Sequence, residues 1–233
     1  MLKASSYGDS SLLVEAFARD FGRVGLIARG ARSAKSRPRA LLQGFRPLLL
    51  SWSESGDLGT LTGVEPHGPA KDFRGEAVFS GWYLNELLLR LLQRHDAHPA
   101  LFDAYGEALD ALSEHGERAL RRFELRLLAD LGFGLDLPHD LEPDRRYRYH
   151  GGEGPILIEP ELDNDGYPGK MLIELRDDRL EDPGDLRLAR RLLREALAAH
   201  LGGKPLNTAT MLRELRRKTT NTQLRAGAGR TTQ

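Results

Sequence analysis

Hydrophobic positions change their period near residue 80. Before that point they come in short runs, SSLLVEAFAR, RVGLIAR, ALLQGFRPLLLSW and TLTGVEP, separated by the turn-like DFG, a basic loop and the polar SESGDLG. Short apolar runs between Gly- and Ser-rich turns predict strands. This stretch is too short for the two sheets of a sandwich, so a small five-stranded barrel of the OB type is expected. Few residues precede Tyr7, so its first strand should be short. From Ser80 the period becomes helical. FSGWYLNELLLRLLQRH places Trp82, Tyr83, Leu87 and Leu91 on one side. HPALFDAYGEALDALSEHG opens at Pro99 and closes at Gly116. RALRRFELRLLADLG repeats Leu120, Phe123, Leu127 and Leu131 and stops at Gly132. These three helices should pack as a bundle.

Residues 135–185 lose that period and read as short strands around Gly-rich turns, RRYRYHGGEGPILIEPELDNDGYPGKMLIEL included. Helices resume with GDLRLARRLLREALAAHLGG and NTATMLRELRRK, the latter with Asn207 or Thr208 as N-cap. The expected fold is therefore α+β: an N-terminal OB-fold β-barrel over 1–76 and an α-helical domain over 77–217. That domain carries a small β-rich insert at about 135–185, and a tail over 218–233 has too little to bury to stay ordered.

Charge sharpens this division. The formal net charge is +0, yet residues 21–53 carry Arg23, Arg29, Arg32, Lys35, Arg37, Arg39 and Arg46 and no acid. Residues 135–185 hold fifteen Asp or Glu against six Arg or Lys. From Gly203 onward there are seven basic residues and one acid, Glu214. Such asymmetry favours a polyanionic partner. The absence of cysteine removes disulfides, thiol catalysis and cysteine-ligated zinc. No signal-like segment and no membrane-length apolar run is visible, and the lack of cysteine is compatible with a cytosolic location.

Catalytic signatures are missing. Gly202-Gly203-Lys204 lacks the earlier glycine of a phosphate loop and is followed by Pro205, so a helix end with chain reversal fits better. ELDNDG lacks the closing bidentate acid of a calcium loop, since Leu172 stands there; a hairpin turn at Asn164–Gly166 fits better. His95 and His98 flank a helix end, where a structural or solvent role is expected. No metal site, cofactor site or enzyme activity is read from the residues.

The basic segment RGARSAKSRPR remains. Five of its eleven residues are basic and the rest are small or Pro, so it reads as a flexible loop without a hydrophobic anchor. Such a loop is by default a solvated surface. Here it joins two strands of a small barrel, and barrels of this type track phosphates with Lys and Arg while aromatics stack on bases. Phe17, Phe21, Phe45 and Trp52 are the stacking candidates, although such residues are more often core. Five phosphate contacts would give log affinity a slope against log salt of about −3.5 to −4.5.

Several segments, taken in order, resemble the bacterial DNA repair protein RecO family. YGDSSLLVEAFARDFGRVGLIARGARSAKSR is similar to the family's opening strands and basic loop, and LLQGFRPLLLSW to its next strand. GWYLNELLLRLL resembles its Tyr-x-Asn-Glu-Leu helix. ALRRFELRLLADLGFGLDL is similar to its Arg-Arg-Phe-Glu helix, and HLGGKPLNTATMLRELRR to its C-terminal segment. Three departures stand out. A cysteine zinc site found in some members is impossible here. Asn207-Thr208-Ala209 replaces a Lys-Ser-Arg, which puts one family cation in doubt. Residues that the family carries before Leu2 are missing, for which a misassigned start codon is one explanation.

The resemblance implies a DNA recombination and repair mediator without covalent chemistry, in the bacterial cytoplasm and associated with the nucleoid. It implies binding of single- and double-stranded DNA, annealing of complementary strands, and partnership with RecR. It also implies binding of the acidic C-terminal tail of single-stranded DNA-binding protein and help in loading RecA, with no membrane role. On that basis Arg23, Arg29, Arg32, Lys35, Arg37 and Arg39 are expected at DNA. Arg121, Arg122, Arg126, Arg190, Arg191 and Lys204 are expected at the partner tail, where burying one aromatic contributes about 1.5–3 kcal/mol. Read without the family, Arg121 and Arg122 would pair with Glu117 or Glu124 on an exposed helix face. The rival readings are a sequence-independent RNA chaperone on the same barrel and a nuclease using acids from 153–185.

Overall fold

A computed structural model describes residues 1–33, 35–54, 56–151, 153–158, 166–208 and 210–211. The N-terminal part contains strands β1 (Lys3–Tyr7), β2 (Ser11–Ala18), β3 (Gly22–Ala28), β4 (Leu48–Ser53) and β5 (Gly59–Pro66). They form one sheet in the order β1-β2-β3-β5-β4. All pairings are antiparallel except β3 with β5, which pair in parallel through Leu26↔Gly59. That order with one parallel pairing is the OB topology. The strands fold because one side of each is apolar. Val14 and Ala16 of β2 meet Val24, Leu26 and Ala28 of β3 inside the barrel. Phe17, on the opposite side of β2, turns to the helices instead.

The basic segment is less of a free loop than its composition suggests. Ala31 is fully buried in the barrel core together with Leu42, and a short helix, α1 (Arg37–Leu41), begins at the Arg-Pro step. The long run after it is not one strand. Phe45 takes a left-handed backbone (φ 60) and Pro47 follows, so β4 starts only at Leu48.

The helical part begins with α2 (Glu76–Leu91) and α3 (Pro99–Asp130). His115 (φ −132, ψ 42) breaks α3 into two halves. The Arg126 guanidinium lies 2.6 Å from the Glu107 carboxylate, yet nineteen residues of straight helix would separate them by about 28 Å. The halves therefore fold back on each other, and the break expected at Gly116 falls one residue earlier. Strands β6 (Arg146–His150), β7 (Gly154–Leu157) and β8 (Tyr167–Pro168) make a small sheet in the order β7-β6-β8. The insert is not all strand: GKMLIELR forms helix α4 (Gly169–Arg176), because Met171, Leu172 and Leu175 need one buried face. Helix α5 (Pro183–His200) closes the bundle, capped by the Asp182 carboxylate on the Gly184 and Asp185 N–H groups. After it Gly202 and Gly203 adopt positive φ and turn the chain, as expected of a helix end. No described helix is long and apolar enough to cross a membrane. The hairpin turn expected at Asn164–Gly166, Gly166 apart, and the tail at 218–233 lie outside the described residues.

Barrel and helices share one core. Leu2, Phe17 and Phe45 from the barrel join Leu84, Leu88, Leu101, Phe123 and Leu127. Two glycines permit the fit. A Cβ on Gly22 (φ +65) would stand 1.7 Å from the Asp96 carbonyl oxygen. One on Gly81, inside α2, would stand 2.7 Å from the Phe45 ring. The segment after α2 pairs directly with β3: the His95 N–H donates to the Arg23 carbonyl at 3.0 Å.

Candidate functional site

Two basic regions stand apart on the molecule. The first is the loop after β3. Its register is fixed by Arg32, whose N–H donates to the Ser10 carbonyl at 2.9 Å. The Arg32 guanidinium donates to the Gly8 and Asp9 carbonyls at 2.7 and 2.9 Å. Arg39 in turn donates to the Arg32 carbonyl. Arg29, Lys35 and Arg37 are exposed, and their charged groups have no hydrogen-bonding or ionic partner among the described residues. These bonds tie the loop to the β1–β2 turn along one edge that carries open cations.

Arg23 does not belong to that edge. It lies at the barrel–helix junction, where its Nε is 3.5 Å from Glu15 and its guanidinium donates to the Leu89 carbonyl. Arg94 reaches the same Glu15 from the far side. In this position the cation joins barrel to helices, away from the other residues of the expected DNA set. The stacking candidates divide in the same way. Phe17 packs edge-on against Phe102 and Tyr105, and Phe45 against Phe73, all inside the fold. Phe21 remains 52 % exposed and meets Trp52 edge-on at 5.0 Å, at the opposite end of β3 from the basic loop.

The second basic region is a groove of about 280 Å³ between the two halves of α3. Ala104, Ala108, Ala111 and Ala119 give it an apolar floor, and Arg118, Arg122 and Arg126 stand along its side. Each cation already holds an acid. Arg118 bonds Glu181 at 2.8 Å, Arg122 bonds Asp178 at 2.8 Å, and Arg126 bonds Glu107 at 2.6 Å.

Of the six residues expected at a partner tail, only Arg122 and Arg126 line this groove. Arg121 is 3 % exposed. It makes a bidentate pair with Glu124, both bonds 2.7 Å, and a third bond to Glu117 at 3.1 Å. Burial alone would lower its pKa, but the two carboxylates raise it. The Tyr83 hydroxyl donates to the same Glu124 at 2.5 Å, and burial followed by that charge pushes the phenol well up. Arg121 is thus buried against Glu124 and does not line the groove. Arg190 approaches Glu117 at 3.5 Å. Arg191 stacks on the Tyr167 ring at 4.8 Å. Lys204 is exposed beyond α5, its carbonyl held by Arg90 at 2.8 Å. None of these three lines the groove.

Arg118 was missed by sequence reasoning, although the signal was present. Spacings of four put 118, 122 and 126 on one helix face, and residue 121 on the next. A second missed set is the Tyr-Leu-Asn-Glu-Leu run of α2. Asn85 donates to the Leu2 carbonyl at 2.8 Å and accepts from the Tyr105 hydroxyl at 2.5 Å. Glu86 accepts from the Asn207 and Thr208 N–H groups at 2.8 and 2.9 Å, and from both side chains at 3.0 and 2.7 Å. That carboxylate thereby caps the segment that starts at Asn207 and Thr208. His98 lies between Asp130, 2.5 Å away, and Asp96, 3.5 Å away. Among the described residues no group of three or more His, Asp or Glu is placed to hold a metal ion.

Comparison with known proteins fits these features together. Residues 1–70 match the family Recombination protein O N terminal, and residues 73–147 match Recombination protein O C terminal. A DNA repair protein RecO from Nitrosococcus oceani is 43 % identical over 93 % of this chain and 92 % of its own. The protein of that name from Alkalilimnicola ehrlichii is 44 % identical over 93 % of this chain and 90 % of its own. The one from Vibrio cholerae is 40 % identical over 94 % and 92 %. With an OB-type barrel ahead of a helical bundle, and such identity along nearly the whole length, the chain belongs to the DNA repair protein RecO family.

Proposed function

We propose that this chain acts as a recombination mediator by binding rather than by chemistry. Its barrel, 1–76, is the DNA-binding unit and its helical part, 77–217, the partner-binding unit. The observation that carries this reading is the unpaired set Arg29, Lys35 and Arg37 on the barrel edge of a RecO-family chain. Cations without an internal carboxylate release no partner when they meet phosphate, so counterion release from the nucleic acid supplies the affinity. Such contacts position a backbone without reading bases. Binding single and double strands alike, and screening the repulsion between two strands, promotes annealing.

The α3 groove is the proposed seat for the C-terminal tail of single-stranded DNA-binding protein. Its alanines accept an apolar side chain, and Arg118, Arg122 and Arg126 face the tail's acids. With RecR, the complex would then help load RecA in the bacterial cytoplasm, at the nucleoid.

Annealing of complementary DNA and RNA oligonucleotides at one salt concentration tests the reading. DNA strands should anneal faster with the protein, and the Arg29/Lys35/Arg37→Ala variant should lose that acceleration. Equal or greater acceleration with RNA would favour an RNA chaperone. Cleavage of labelled DNA that needs Mg²⁺ and stops with EDTA would overturn the non-enzymatic reading.

A further inference from the structure

The three groove cations differ from the loop cations in one respect that the proposed function leaves unused: none is free. Two of their acids come from the turn between α4 and α5, which supplies Asp178 to Arg122 and Glu181 to Arg118. That turn also gives the Asp178 carbonyl to Arg118 at 2.9 Å. The third acid, Glu107, comes from the first half of α3. Arg122 and Asp178 are each 45 % exposed, Arg126 39 % and Glu107 55 %. Ion pairs this open are individually weak and exchange readily with other carboxylates.

The backbone at Asp178 adds a second observation. Helices α3 and α4 end in the same way, with a left-handed residue after the last turn and paired reverse hydrogen bonds. In α3 the Gly132 and Phe133 N–H groups donate to Ala129 and Leu128 at 3.0 and 2.8 Å, with Gly132 at φ +81. In α4 the Asp178 and Arg179 N–H groups donate to Leu175 and Glu174 at 3.4 and 2.8 Å, with Asp178 at φ +56. Glycine suits this position without strain, and an aspartate there carries a steric penalty. What the aspartate supplies is a carboxylate held against Arg122. Its neighbour Asp177 faces the other way and binds Arg176 and Arg179, at 2.8 and 2.7 Å.

We propose that Asp178, Glu181 and Glu107 are built-in competitors that set which acidic peptides the α3 groove accepts. This rests on the reading of that groove as a peptide site. A peptide with one carboxylate only exchanges like for like and gains nothing. A peptide with several carboxylates and an apolar C-terminal residue displaces the internal acids together and keeps the burial of its end on the alanine floor. The groove therefore discriminates by number of acids, and rejects single surface carboxylates of other proteins.

The test titrates full-length protein with a fluorescent peptide of several aspartates ending in phenylalanine, at about 0.1 M salt, where exposed pairs still count. Asp178→Gly removes the carboxylate and the backbone strain together, and Asp178→Asn/Glu181→Gln removes two charges. Each carboxylate removed should tighten peptide binding about 2- to 5-fold, with no fall in melting temperature for Asp178→Gly. Asp177→Asn should leave peptide affinity unchanged. Unchanged or weaker binding in both competitor variants, while Arg122→Ala weakens binding, would overturn the competitor inference and leave the groove reading standing. Unchanged binding in Arg122→Ala would remove the groove reading and this inference with it.

Discussion

The barrel loop and the α3 groove are both rich in arginine, yet their cations are in opposite states. In the loop, Arg29, Lys35 and Arg37 stand without a described partner, and Arg32 and Arg39 spend their bonds on backbone carbonyls. In the groove, Arg118, Arg122 and Arg126 each hold a carboxylate. On the proposed reading, the same residue type serves two kinds of recognition. Open cations suit a long, uniform polyanion whose charge is its whole message. Occupied cations suit a short ligand that must outbid an internal acid and so must bring more than charge. Counting arginines would treat the two regions as equals; their partners set them apart.

A third state, the buried pair, should give the largest effect on breaking. Arg121→Ala leaves Glu124 buried with only Tyr83 and should cost about 3–5 kcal/mol of stability, read by urea unfolding. Next comes the junction. Arg23→Ala should destabilise the protein by about 1–3 kcal/mol, because Glu15 loses an ion-pair partner and the Leu89 carbonyl loses its donor. It should leave the salt slope of DNA binding unchanged. A slope that falls by about one in this variant would return Arg23 to the DNA surface.

The smallest effect concerns the C-terminal attachment at Glu86. Burial alone would raise this carboxyl, but the Thr208 and Asn207 donors and then Arg90 hold it below its ordinary 4.5. A depressed carboxylate contributes above its ordinary pKa, and that contribution fades as pH falls from there through the lowered value. Amide exchange at Asn207 and Thr208, corrected for its intrinsic pH dependence, should therefore quicken in that acidic window. Glu86→Gln should quicken it at neutral pH, and equal exchange in variant and wild type would remove Glu86 from that role.

Much of the fold was legible in the sequence. The change of hydrophobic period near residue 80 marked the join of barrel and bundle, and the acid-free stretch 21–53 marked the basic edge. What stayed hidden depends on contacts between distant segments. Arg23 and Arg29 look alike in sequence; only the docking of Gly22 against Asp96 puts the first at a junction. Arg121 and Arg122 are neighbours, but one helical step turns the first toward Glu124 and the second into the groove. The groove itself exists because His115 folds α3 back, and a break before a glycine does not announce its angle. Helix α4 was obscured by the surrounding glycines and prolines, although Met171, Leu172 and Leu175 follow a helical period.

The separation of the two basic regions is tested most directly by measuring two ligands against two variants. Wild type, Arg29/Lys35/Arg37→Ala and Arg122/Arg126→Ala would each be titrated with a labelled single-stranded DNA and with the acidic peptide. At about 0.1 M salt the loop variant should lose roughly 100- to 500-fold in DNA affinity, and its salt slope should shrink by about 2 to 3. Its peptide affinity should stay within about twofold. The groove variant should lose peptide binding and keep its DNA slope. If either variant weakens both ligands in parallel, or the loop variant keeps the wild-type DNA slope, the two regions do not divide the work as described.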